Sequence, residues 1–103
     1  MNSHEIALSN DSFRKTFIGG KVLLTAGVRC SGYVEDIIET VKNFTQFTPY
    51  NDPHREHDFG AFTINGTKYF FKIDYYDNDY KYGADPYSEP FQRALTIMEA
   101  SEY

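Results

Sequence analysis

The dipeptide Asn65-Gly66 constrains this chain more than any other feature. It stands between two runs rich in aromatic and β-branched residues, Phe59 to Ile64 and Thr67 to Tyr76. A two-residue turn between paired strands needs positive φ at both positions, which Asn and Gly tolerate best. The segment is therefore predicted to be a β-hairpin. In its second strand Tyr69, Phe71, Ile73 and Tyr75 share one face, and Lys68, Lys72 and Asp74 share the other. One side packs on a core and the other meets water.

A lone hairpin is marginal in water, so its apolar face needs a cover. The clearest helix follows Ser31, a suitable cap. Val34, Ile37, Ile38, Val41, Phe44 and Phe47 recur at i, i+3, i+4 and i+7, and Thr48-Pro49 stops them. A second helix is expected near the start, with Ser3 as cap, Glu5 in the first turn and Ile6, Phe13 and Phe17 at helical spacing. It ends at Ile18-Gly19-Gly20. Lys21 to Val28 reads as a strand with Val22, Leu24, Ala26 and Val28 on one face. Leu23 on the other face suggests a central position in the sheet. A turn or short helix near Ser88–Arg93 precedes a last strand over Ala94 to Ala100. The expected fold is α+β, with two helices packed on an antiparallel or mixed sheet of about four strands. Ile37, Ile38, Val41, Phe44, Phe71 and Ile73 are expected in its core. At 103 residues the chain is read as a single domain, residues 1–103.

Composition removes several classes of function. No apolar run approaches the length of a membrane span, and the start carries neither a basic nor an apolar leader region. One cysteine cannot form an internal disulfide, so a cytoplasmic protein with no membrane partner is expected. Cys30 is read as a small, partly buried residue, because nothing fixes a base beside it. The net charge of −5 argues against direct nucleic-acid binding, which needs basic surface.

Two segments hold candidate chemistry. His54-Arg55-Glu56-His57-Asp58 is dense in potential ligands and acid–base groups. A predicted loop does not place two imidazoles on one face, and a third ligand would have to come from Asp52 or Asp74. No metal and no cofactor are therefore assigned. His57 is read as structural, bonded to Asp74 or to loop backbone. The alternative is a small metal-dependent or acid–base enzyme using His57, Asp58, Glu56 and Asp74. Residues 74–89 form the second segment. Asp74, Asp77, Asp79, Asp85 and Glu89 face Lys81 alone, a net charge of −4, and five of the nine tyrosines lie among them. Tyrosine suits interfaces, and spaced carboxylates imitate the phosphates of a nucleic-acid strand. Asp74, Tyr75, Tyr76, Asp77, Asp79, Tyr80, Tyr82 and Asp85 are the candidate partner-binding residues.

Several segments together resemble a family of small bacterial proteins described as a domain of unknown function and carried on plasmids, phages and other mobile elements. They are Asn10-Asp11-x-Phe13-Arg14, Leu24-Thr25-Ala26-Gly27-Val28, Phe47-Thr48-Pro49-x-Asn51-Asp52-Pro53, Glu56-His57-Asp58-Phe59-Gly60-x-Phe62, Lys72-Ile73-Asp74-Tyr75-Tyr76-Asp77, Leu95-Thr96-Ile97-Met98 and Glu102-Tyr103. The resemblance covers nearly the whole chain. It implies that Glu56, His57, Asp58 and Asp74 belong to a family pattern, while His54 and Cys30 do not. Mobile-element carriage implies dealings with host defences. The expected function is then a non-enzymatic anti-defence inhibitor, of anti-CRISPR type, that blocks a host protein or ribonucleoprotein complex through its acidic, tyrosine-rich surface. An accessory regulatory module with another protein partner is a further alternative.

Overall fold

The computed structural model describes residues 1–88 and 90–103; Glu89 lies outside the described residues. The elements run α1 (Ser3–Thr16), β1 (Gly20–Leu24), α2 (Ala26–Arg29), α3 (Val34–Lys42), β2 (Phe59–Ile64), β3 (Thr67–Tyr76) and β4 (Gln92–Glu99), followed by a 3-10 turn over Ala100–Glu102. The strands form one mixed sheet in the order β1-β4-β3-β2. β2 and β3 pair antiparallel, as do β3 and β4, while β1 runs parallel to β4. The architecture is the expected α+β, with three helices instead of two.

The hairpin falls where the sequence puts it. Asn65 and Gly66 form the tip with φ of 49° and 79°, the positive values a type I′ turn requires. Strand parity then sorts the sheet into two faces. Phe71, Ile73, Leu95 and Ile97 point to the side where Phe13, Val28, Ile37, Val41 and Phe44 close the core. Ile38 is only partly covered, because α3 turns it toward the margin.

Four local expectations change. The cap of α1 is Asn2, whose side chain accepts from the Glu5 N–H while the Glu5 carboxylate accepts from the Asn2 N–H. This reciprocal box satisfies two helix-end donors, which Ser3 inside the first turn cannot do. The strand expected to reach Val28 ends at Leu24. Ala26 to Arg29 turn into a helix that buries Val28, and β1 is an edge strand with Leu23 52% exposed. α3 stops at Lys42, short of Phe44 and Phe47, and has Tyr33 at its cap position while the Ser31 hydroxyl accepts from the Tyr33 N–H. Both rings still reach the core, because Phe44 meets Phe71 edge-on at 5.2 Å and Phe47 meets it at 6.4 Å. Cys30 lies exposed at the end of α2, where no packing covers it.

Candidate functional site

The segment Glu56-His57-Asp58 enters β2 and sends its side chains in two directions. Arg55 and His57 both have φ of 57°, a left-handed backbone that non-glycine residues seldom adopt. The sharp path is held by Asp52, whose buried carboxylate accepts the backbone N–H groups of Glu56 and His57 at 2.9 and 3.2 Å.

His57 turns toward α1. Its Nδ1 lies 3.0 Å from both carboxylate oxygens of Asp11, and its Nε2 lies 3.7 Å from Asp52 Oδ2. The ring stacks on Phe47 at 4.0 Å, with an interplanar angle of 2°. Asp11 is itself fixed by Arg14, which donates from Nη1 at 2.9 Å. The Arg14 side chain is buried. Its remaining donors reach the Val41 carbonyl at 3.0 Å and the Phe44 carbonyl at 2.9 Å. One guanidinium thus binds a carbonyl in the last turn of α3 and another just past its end, where a cation also suits the helix dipole. His57 is the outer member of this chain of contacts.

Glu56 and Asp58 belong to a second network. Asn10 donates to the Glu56 carbonyl at 2.9 Å and to the Tyr75 hydroxyl at 2.8 Å, and Tyr75 donates to Asp58 at 3.1 Å. Arg93 donates to Asn10 Oδ1 at 2.6 Å and also to the Ser9 hydroxyl. Burial raises the Asp58 carboxyl above its usual range, against the bond from Tyr75, and the Asp52 charge adds to the rise. Burial raises Glu56 as well, helped by the Asp58 charge. The Tyr75 hydroxyl is pushed up by burial.

These directions give a pH dependence. An unfolded Asp titrates near 3.8, and the folded carboxyl titrates higher. The native state therefore holds the extra proton across the interval between. The resulting stabilisation is fully present below the unfolded value and is lost as pH rises through the folded one. Asp58→Asn removes that titration while leaving an oxygen for Tyr75. We expect the variant to melt at or above the unaltered protein at pH 7.5. Its melting temperature should also change less between pH 4 and pH 7.5. A variant that melts lower at pH 7.5 would contradict a cost of burying this charge.

The sequence grouped His57, Asp58, Glu56 and Asp74, but the structure divides them. Asp74 lies on the opposite face of the sheet and pairs with Lys72 at 3.0 Å, so His57 takes Asp11 as its partner instead. Asn10, Asp11, Arg14 and Arg93 were missed as partners of this loop, although Asn10-Asp11-x-Phe13-Arg14 is one of the segments that carry the family resemblance. His54 is exposed. Among the described residues no three His, Cys, Asp or Glu side chains group to hold a metal ion. A cleft of about 540 Å³ opens beside His57, walled by Ala7, Leu8 and Asp11 of α1 and by Pro49 and Pro53.

The acidic segment is the connection from β3 to β4, and it has internal order. The Asp77 carboxylate accepts the Asp79 and Lys81 N–H groups at 3.2 and 2.9 Å. Backbone bonds from Asp77 to the Tyr82 carbonyl and from Ala84 to the Tyr75 carbonyl close the loop. Asp85 accepts from the Tyr87 N–H and the Ser88 hydroxyl, which hold its carboxyl below the usual range. Of the candidate partner-binding residues, Asp79, Tyr82 and Asp85 are exposed, and Tyr82 retains 73% of its surface. Tyr75 is engaged inside, and Tyr76 packs on Tyr80 at 6.0 Å. Tyr80 also donates to the Arg93 carbonyl at 3.3 Å.

A family model described as "Protein of unknown function (DUF3768)" matches residues 24–102, and the chain belongs to that family. No curated protein and no solved structure matches it. No helix among the described residues is long and apolar enough to cross a membrane.

Proposed function

We propose that this DUF3768 member is a non-enzymatic protein-binding inhibitor that docks a basic partner through the β3–β4 connection. The observation that carries the reading is the ordered acidic loop. Asp77 and Asp85 hold it in shape while Asp79, Tyr82, Asp85 and Tyr87 stand exposed on it. A loop already held in its bound shape loses little entropy on docking, and like charges close together steer a basic surface toward it. With the mobile-element reading of the family, the partner proposed is a host defence complex whose basic groove normally holds nucleic acid.

The acid–base reading is less well supported. It rests on His57 with Asp11 and Asp52, and both ring nitrogens face carboxylates already.

Charge reversal at Asp77 would disturb the loop it caps, so the test uses Asp79 and Tyr82. The unaltered protein should capture a partner from host lysate, and DNA or RNA should compete for that partner. Captured amounts should fall as salt rises. Asp79→Lys combined with Tyr82→Ala should cut capture of the same partner about tenfold or more while the circular dichroism spectrum stays unchanged. Undiminished capture by the folded double variant would move the docking surface elsewhere.

A further inference from the structure

All three α-helices pack on one face of the sheet, while the opposite face meets only the rings of Tyr103 and of Tyr80 from the β3–β4 connection in the ring contacts of the described residues. Register assigns Lys21 and Leu23 of β1 to this open face, with Phe59 of β2 and Lys68, Phe70, Lys72, Asp74 and Tyr76 of β3. We propose that this open face binds single-stranded nucleic acid, with bases stacking on its rings and phosphates meeting its lysines.

The rings form a connected platform. Phe59 lies 5.1 Å from Phe70, and Tyr103 stands edge-on over both at 6.4 and 5.6 Å. The turn that carries Tyr103 is anchored, because the Glu102 carboxylate accepts from the Thr25 hydroxyl at 2.6 Å and the Gly27 N–H at 2.9 Å. Tyr103 nevertheless keeps 77% of its surface and Leu23 keeps 52%. Lys68 borders this platform, with its Nζ 5.4 Å from the Phe70 centroid, and Lys21 stands further along the face, with its Nζ 4.0 Å from the centroid of Tyr80 in the β3–β4 connection. Lys72 is paired with Asp74 at 3.0 Å, which leaves Lys21 and Lys68 as the net cations among the strand residues of this face, although the chain carries −5. The expectation of no direct nucleic-acid binding came from the summed charge, which does not describe this face. Flat rings beside cations on an exposed sheet suit unpaired bases, whose π faces are free, better than a duplex. An acidic peptide would match the charge but would leave the rings without a stacking partner.

The test needs no protein partner, so its outcome is separate from capture through the acidic loop. Labelled twelve-residue oligo-dT and oligo-U, and a DNA duplex of the same length, are titrated with the protein and followed by fluorescence anisotropy. Single strands should bind and the duplex should bind at least about tenfold more weakly. With two phosphates neutralised, raising salt from about 50 to about 200 mM should weaken single-strand binding about sevenfold. Tyr103→Ala should weaken it about tenfold. Lys21→Glu with Lys68→Glu should do so by at least about tenfold. On the unaltered protein, backbone NMR shifts on adding oligo-dT should concentrate at Phe59, Phe70, Tyr76 and Tyr103. No binding at about 100 µM protein, equal affinity for the duplex with no effect of Tyr103→Ala, or shifts confined to other surfaces would each overturn the proposal. So would polyglutamate competing as well as the oligonucleotide.

Discussion

Arg14→Met is expected to cost about 3–5 kcal/mol, enough to unfold much of the population of a marginally stable domain. The guanidinium is 1% exposed and has three partners that no apolar side chain can replace: the Val41 carbonyl, the Phe44 carbonyl and Asp11. Methionine fills most of the volume, so the loss is polar in origin. The Phe44 carbonyl loses the Arg14 donor, the Val41 carbonyl is left with the longer bond from the Phe44 N–H at 3.3 Å, and Asp11 keeps His57 alone. A buried acceptor left without a donor costs about 1–3 kcal/mol. Arg14→Lys should recover only part of the loss, because an ammonium cannot span the same fork. Urea denaturation followed by circular dichroism measures both. A loss under about 1 kcal/mol for the methionine variant would mean that water or relaxed backbone satisfies those carbonyls.

Gly60→Val should cost about 3 kcal/mol by overpacking. A Cβ at position 60 would stand 2.2 Å from one carbon of the Phe71 ring and 2.6 Å from the next. That ring has nowhere to go. It is fully buried, with Phe44 and Phe47 edge-on to it and the Arg14 guanidinium 5.6 Å from its centroid. The glycine is therefore a matter of space, since its φ is not in the left-handed region. Shortening the ring residue should relieve the clash. The double variant Gly60→Val with Phe71→Leu should lose less stability than the two single losses added together, with a coupling of about 1 kcal/mol or more in a denaturation cycle. Strict additivity would mean that the strand moves away from the ring.

The sequence was most legible where one dipeptide or one period carried the signal. Asn65-Gly66 located β2, β3 and their register, because a type I′ turn leaves the flanking strands little choice. Val34 to Val41 located α3 in the same way. What stayed hidden depends on partners far apart in the chain. The end of α3 is set partly by Arg14, 27 residues before Val41. The position of Tyr75 is set by Asn10 and Asp58, 65 and 17 residues away. No local pattern announces such pairs. β1 was misplaced for a related reason. Its Leu23 looks like a residue of a two-sided strand, yet only the topology decides which strand lies at the edge. The candidate site was half legible. The Glu56-His57-Asp58 segment stood out by composition and period two put Asp74 on the polar face of β3, but the partner of His57 was hidden because Asp11 lies 46 residues before it.

The parallel pairing of β1 with β4 has a consequence for the order in which the molecule assembles. Gly20 meets Arg93 and Leu24 meets Ile97, so the first strand has no neighbour until a segment about seventy residues later is in place. The hairpin of β2 and β3 needs only its own turn, and β4 adds to β3 across one connection. These three strands can condense early, whereas joining β1 requires closing most of the chain into a loop before any contact rewards it. Refolding should then show α1 and β1 gaining amide protection after the β2–β3–β4 meander. Substitutions in β1 should speed unfolding while leaving the folding rate nearly untouched.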